Sequence, residues 1–187
     1  AAPPPASVAA AARGRVGEFR AGELASLLAS LAAFERLTGA AHDGELVPAL
    51  LAAAAGRAGE LEPGALPRTL AALASLTACP QGSGKGKHVE ERRRLLKALS
   101  AVAVPRISDF RPADLVEMIG SLAELCFRDE QWLRAISGEV KGQLHALTPS
   151  DLAKLAHSAV ALDFIDEELL EGIGASPSCM NDYELLE

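Results

Sequence analysis

The chain has 187 residues, 49% of them hydrophobic but only 4% aromatic, and carries a formal net charge of −7. That length suits one domain or one short array, and the negative total excludes a chain that binds nucleic acid through basic charge along its whole surface. The longest apolar run, residues 49–55, is too short to cross a membrane, and Cys79, Cys126 and Cys179 form neither a CxxC pair nor an even framework, so direct membrane insertion is not expected and a reducing compartment is.

Residues 1–18 are expected to be flexible, with Pro3, Pro4 and Pro5 excluding a helix at the start. Arg13 and Arg15 precede the first acid, Glu18, in an alanine- and proline-rich setting. Both the remnant of an organellar transit segment and a plain alanine-proline linker fit that composition.

From Phe19 a phrase of six residues returns four times. It reads Phe19-Arg20-Ala21-Gly22-Glu23-Leu24, then Leu61-Glu62-Pro63-Gly64-Ala65-Leu66, Phe110-Arg111-Pro112-Ala113-Asp114-Leu115 and Leu147-Thr148-Pro149-Ser150-Asp151-Leu152. Leu115 and Leu152 are 37 positions apart, a spacing that signals a repeat protein. After each leucine, apolar residues fall at +4, +7 and +10: Leu28, Leu31 and Phe34; Leu70, Leu73 and Leu76; Ile119, Leu122 and Leu125; Ala156, Ala159 and Leu162. This is the stripe of an amphipathic helix. Position +6 holds Ser30, Ala72, Ser121 and Ser158, and position +8 holds Ala32, Ala74, Ala123 and Val160, small enough for neighbouring helices to approach closely. A proline or small residue three places before the leucine, with an acid one place before it in three copies, suits a helix start.

A second apolar helix is expected after each first one, over residues 45–55, 90–102, 129–140 and 166–173. From the anchors Leu46, Leu96 and Leu133 to the next repeat's leucine the distances are 20, 19 and 19 residues, nearly constant. Within a repeat, from Leu24, Leu66 and Leu115 to those anchors, they are 22, 30 and 18, so the extra residues sit in the turn between paired helices. In stacked helix pairs that turn lies on one edge, where insertions disturb no core. The predicted fold is all-α, about four helix-turn-helix repeats at 19–59, 61–105, 110–143 and 147–173 within a domain of 19–174, with an acidic tail over 175–187. Because nothing after Gly174 reads as a polar capping helix, one end of the stack is expected to meet another chain, unless Tyr183, Leu185 and Leu186 fold back over it.

No catalytic constellation is legible. Gly82-Ser83-Gly84-Lys85-Gly86-Lys87 lacks the spacing, the following Ser or Thr and the preceding strand of a phosphate loop. His42, His88, His145 and His157 have no metal-ligand spacing, and Cys126, next to Leu125, reads as a small core residue. Glu167 and Glu168 are explained by a helix start. An enzyme, a cofactor and a metal are therefore not expected. Lys85, Lys87, Arg92, Arg93, Arg94 and Lys97 gather six cations within 13 positions and are the candidate contact to RNA or to an acidic partner. The alternative is a solvated helix face in which Glu90 pairs with Arg93 or Arg94. Aromatics for base stacking are missing nearby.

At residues 147–162, Leu-Thr-Pro-Ser-Asp-Leu-Ala-Lys-Leu-Ala-His-Ser-Ala-Val-Ala-Leu, continued by Asp166-Glu167-Glu168-Leu169-Leu170, the chain resembles the octotricopeptide and heptatricopeptide helical repeats. These are related to the repeats that precede RAP domains and occur in FAST-kinase-like proteins. The similarity is close in repeats three and four and looser in one and two. It implies a right-handed α-solenoid in a mitochondrion, or alternatively a chloroplast, acting on organellar RNA or built into a fragmented mitochondrial ribosome. The chain differs from the free RNA-binding type in being short and acidic and in showing no RAP domain, so no base-reading residues are assigned. The expected function is a non-catalytic scaffold subunit of an organellar assembly, foremost a mitochondrial ribosome, whose partners are other protein subunits and ribosomal or messenger RNA. A free RNA-binding regulator of transcripts and an accessory subunit of a respiratory or photosynthetic membrane complex are the alternatives.

Overall fold

The structure, a computed structural model, describes residues 13–38, 45–77 and 88–176. Among the described residues there are eight α-helices and no strand: α1 Ala21–Thr38, α2 Leu46–Gly56, α3 Leu66–Thr77, α4 Val89–Ala103, α5 Pro112–Glu124, α6 Glu130–Lys141, α7 Pro149–Ala161 and α8 Glu167–Gly174. Each falls within a few residues of a helix expected from the apolar spacing. The inserted turns of repeats one and two (39–44 and 78–87), residues 1–12 and the tail from 177 onward lie outside the described residues, and with them Lys85 and Lys87.

The chain divides into two compact units, Ala1–Pro105 and Arg106–Glu187, the cut falling between the second and third repeats. In the first unit α1 packs chiefly on α3 and α2 on α4, while α1 also meets its own partner α2. First helix lies on first helix and second on second, the arrangement of two stacked helix pairs. Leu24, Leu28, Leu50, Leu51, Leu70, Leu73, Leu95 and Leu99 form its core and are almost inaccessible. Each such leucine contributes roughly 1.5–3 kcal/mol by leaving water. Arg57, just past α2, ties the unit together from 38 to 40 residues away: its guanidinium donates to the carbonyls of Phe19 (2.7 Å) and Gly17 (2.9 Å) at the approach to α1.

The second unit repeats the same plan, α5 on α7 and α6 on α8. The starts of its first helices bear out the proline signal: Pro112 and Pro149 stand in the first turn behind the caps Arg111 and Thr148. Thr148 and Asp151 form a reciprocal capping box, each side chain bonding the other's backbone N–H at 3.2 Å. The ends of both first helices also match. Phe127 N–H bonds the Leu122 carbonyl and Cys126 N–H that of Ala123, while 37 residues on Phe164 N–H bonds Ala159 and Asp163 N–H bonds Val160. These are paired Schellman endings, with Cys126 and Asp163 in the left-handed conformation at φ 50° and 51°. The expectation of a buried Cys126 is therefore wrong: the reversal turns its side chain out to solvent, and it is exposed. Three residues later Asp129 and Asp166 cap α6 and α8 through their own carboxylates.

Trp132, the largest fully buried side chain, stands at the start of α6 in this unit, and its indole N–H has no acceptor among the described residues. Gly120 of α5 faces Ser158 of α7, where a Cβ added to the glycine would lie 3.9 Å from the serine oxygen. Small residues at this joint do allow the close approach expected of them.

Candidate nucleic-acid interface

Helix α4 carries the one part of the predicted basic cluster that is described. It begins after His88, whose backbone is left-handed at φ 63°, and Glu90 and Glu91 in its first turn suit the positive end of the helix dipole. Its inward side, Leu95, Leu96, Leu99 and Ala103, is buried, which places that side against α2.

Arg93, Arg94 and Lys97 are exposed. Successive residues of a helix turn by about 100°, so these three cations occupy an arc of about 100° opposite the buried leucines. Arg92 does not join them: it is buried and engaged within the fold. One step of rotation separates a core arginine from a surface one, and a run of three arginines cannot point all its members the same way. Glu90 shares the exposed face, but among the described residues no ion pair joins it to Arg93 or Arg94. The face therefore presents three cations and one carboxylate, with the guanidinium forks free of carboxylate partners and able to take phosphate oxygens.

Several other charged groups of the described residues are tied into the fold. Arg111 donates to both carboxylate oxygens of Asp114 at 2.8 and 3.0 Å, and that hydrogen bond holds the Asp114 carboxyl below its ordinary range. Lys141 bridges Asp166 and Glu168 at 2.7 and 2.8 Å and is held above its ordinary range by them. Arg128 reaches Asp163 at 2.9 Å. Arg13 pairs with Glu45. Among the described residues no group of three or more His, Cys, Asp and Glu side chains could hold a metal ion, and no helix is long and apolar enough to cross a membrane.

The first unit also holds an open groove of about 860 Å³ along α1, lined by Phe19, Glu23, Leu27, Ser30, Glu60 and Glu62 among others. Sequence reasoning did not single it out. Leu27 and Ser30 stand at positions +3 and +6, which are buried in the three later repeats, so the groove emerges only when burial is compared between repeats. No protein-family model matches the chain, and no curated protein does.

Proposed function

We propose that the protein is a non-catalytic helical-repeat subunit of an organellar ribonucleoprotein assembly, foremost a mitochondrial ribosome, in which the Arg93–Arg94–Lys97 face of α4 contacts the RNA backbone. In this reading the four helix pairs continue as one right-handed solenoid of the octotricopeptide kind. The observation that carries it is the separation of duties on α4: one side is buried leucine, and the other is three exposed cations that form no ion pair among the described residues. A local face of this kind can bind phosphate on a chain whose net charge is −7, because fields of exposed charges are screened beyond about 8–10 Å at physiological salt. Lys85 and Lys87, which precede the same helix in sequence and lie outside the described residues, belong to the contact in this reading.

The face suits contact with a backbone, not reading of bases, since it has no aromatic side chain to stack on them. The test is replacement of Arg93, Arg94 and Lys97 by glutamate, with Arg92 left in place because it belongs to the core. The folded helix content is expected to persist while incorporation into the large particle is lost. Normal incorporation of the triple variant removes the α4 face from the account.

A further inference from the structure

The cations of α4 diverge from nearly one level of the helix. At about 100° of turn and 1.5 Å of rise per residue, Arg93 and Arg94 leave the axis on either side of Lys97, which stands one turn further on and between them in angle. Glu90 precedes them in the same arc, and Glu91 is half-buried on its flank. Beyond Lys97 the outer side continues as Ala98 and Ala101, the latter exposed. The cations are thus bounded by carboxylates toward the start of the helix and by small uncharged residues toward its end. The elements packed against α4 change this little. Helix α2 has no charged residue, α3 has Arg68, and the short turn Ala58–Glu60 has Glu60, which lines the groove along α1.

A single strand is usually held by exposed rings on which its unpaired bases stack. Among the described residues no aromatic side chain is exposed: Phe110, Trp132 and Phe164 are buried, and Phe19, Phe34 and Phe127 are half-buried. Phe19 moreover lines the groove along α1, where Glu23, Glu60 and Glu62 outnumber Arg20. A duplex needs no such rings, because its bases are already stacked on one another, and it offers phosphates in two rows along each groove. In A-form RNA the deep groove is narrow, which brings its two rows close together. We infer that the RNA taken by this face is double-stranded, Arg93 and Arg94 each meeting one phosphate row of the narrow groove and Lys97 lying between them. The inference rests on the proposed contact of α4 with the RNA backbone and names the form of that RNA. Side chains do not read bases through the narrow groove, so shape selects the partner and duplexes of any sequence serve alike.

The decisive experiment is fluorescence anisotropy with the purified chain, titrated to about 500 μM at about 50 mM salt, conditions that reach backbone-only binding. Three labelled probes of one length are compared: an RNA duplex, an unstructured single-stranded RNA, and the DNA duplex of the same sequence. The RNA duplex is expected to bind several-fold more tightly than either of the others, and an RNA duplex of unrelated sequence to compete equally. Its affinity is expected to fall with salt at a logarithmic slope of about −2 to −3, as for three phosphates. Arg93→Ala and Arg94→Ala, single changes at exposed positions, are each expected to reduce that slope by about 1. An RNA duplex that does not bind, or binds no better than the single strand, overturns the inference. So does equal binding of the DNA duplex, whose major groove is wide, at about 12 Å, or a duplex preference that both variants retain in full. Single-stranded binding that the triple glutamate variant abolishes would end this inference and leave the RNA contact of α4 standing, whereas normal incorporation of that variant into the large particle ends both.

Discussion

The hydroxyl of Ser137, on α6, donates to Oδ2 of Asp166 at 2.6 Å, and Asp166 is the residue that caps α8. Its Oδ1 accepts the Leu169 N–H at 3.2 Å and takes the Lys141 ammonium at 2.7 Å. One carboxylate thus starts a helix and fastens it to the helix of the preceding repeat.

Burial alone would raise the Asp166 carboxyl, but the hydrogen bonds from Lys141, Ser137 and Leu169 together outweigh it and hold it below the ordinary carboxylate range. A depressed folded-state value means the carboxylate's contribution is complete above the unfolded value of about 4 and is lost as the pH falls through the folded one. Denaturant unfolding between about pH 7 and pH 2 is expected to show a steeper acid loss for the wild type than for Asp166→Asn. Asp166→Ala removes the cap and strands the nearly inaccessible Ser137 hydroxyl, at a cost of about 1–3 kcal/mol. An unchanged acid limb in the Asn variant contradicts this role.

The capping box of α7 gives a conservative pair of substitutions. Thr148→Ala is expected to lower stability by about 1 kcal/mol, and Thr148→Ser to restore most of it, because serine keeps the oxygen that accepts the Asp151 N–H. Unfolding midpoints of the two variants measure the difference. Equal loss in both would trace the effect to the lost methyl group.

Two helical glycines are expected to respond differently to alanine. At Gly120 the added methyl would lie in ordinary contact, 3.9 Å from Ser158, so Gly120→Ala is expected to stabilise by up to about 1 kcal/mol through helix propensity. A leucine there would force the joint between α5 and α7 apart and cost about 1–3 kcal/mol. At Gly172 a methyl would lie 2.7 Å from Leu144 Cδ1, so the leucine must swing aside and the propensity gain is offset. Thermal unfolding of Gly120→Ala and Gly172→Ala side by side checks the contrast.

Among the described residues the Trp132 side chain supplies volume without a hydrogen bond. Trp132→Phe removes a buried donor that has no acceptor among the described residues, and is expected to cost far less than Trp132→Ala, for which about 3–5 kcal/mol is the usual loss. If the phenylalanine variant is as unstable as the alanine one, the indole N–H has a partner after all.

Much of the helix pattern was legible because the leucine phrase carries two signals at once, a helix start and a period. Leu66, Leu115 and Leu152 all prove fully buried on helices that begin within a few residues of the expected places. The phrase at the helix end was equally available but went unread: Leu125-Cys126-Phe127-Arg128-Asp129-Glu130 returns as Leu162-Asp163-Phe164-Ile165-Asp166-Glu167, again 37 residues on. It encodes the reversal that exposes Cys126. Hydrophobicity placed Cys126 in the core, but the left-handed turn decides its direction, and only the comparison with Asp163 at the same place reveals it. Arg92 was misjudged for a related reason. A run of charges looks uniform in sequence, whereas helical rotation sends one member inward and its neighbours outward. The groove along α1 depends on which side of a helix finds no neighbour, a property of stacking that a periodic stripe does not record.

The most direct test of the account is sedimentation of the native protein from an organelle extract with and without ribonuclease. The account predicts that it travels in a large ribonucleoprotein fraction and moves to a small one after digestion. A small particle before digestion, or a large one that resists ribonuclease and disperses only in detergent, contradicts it.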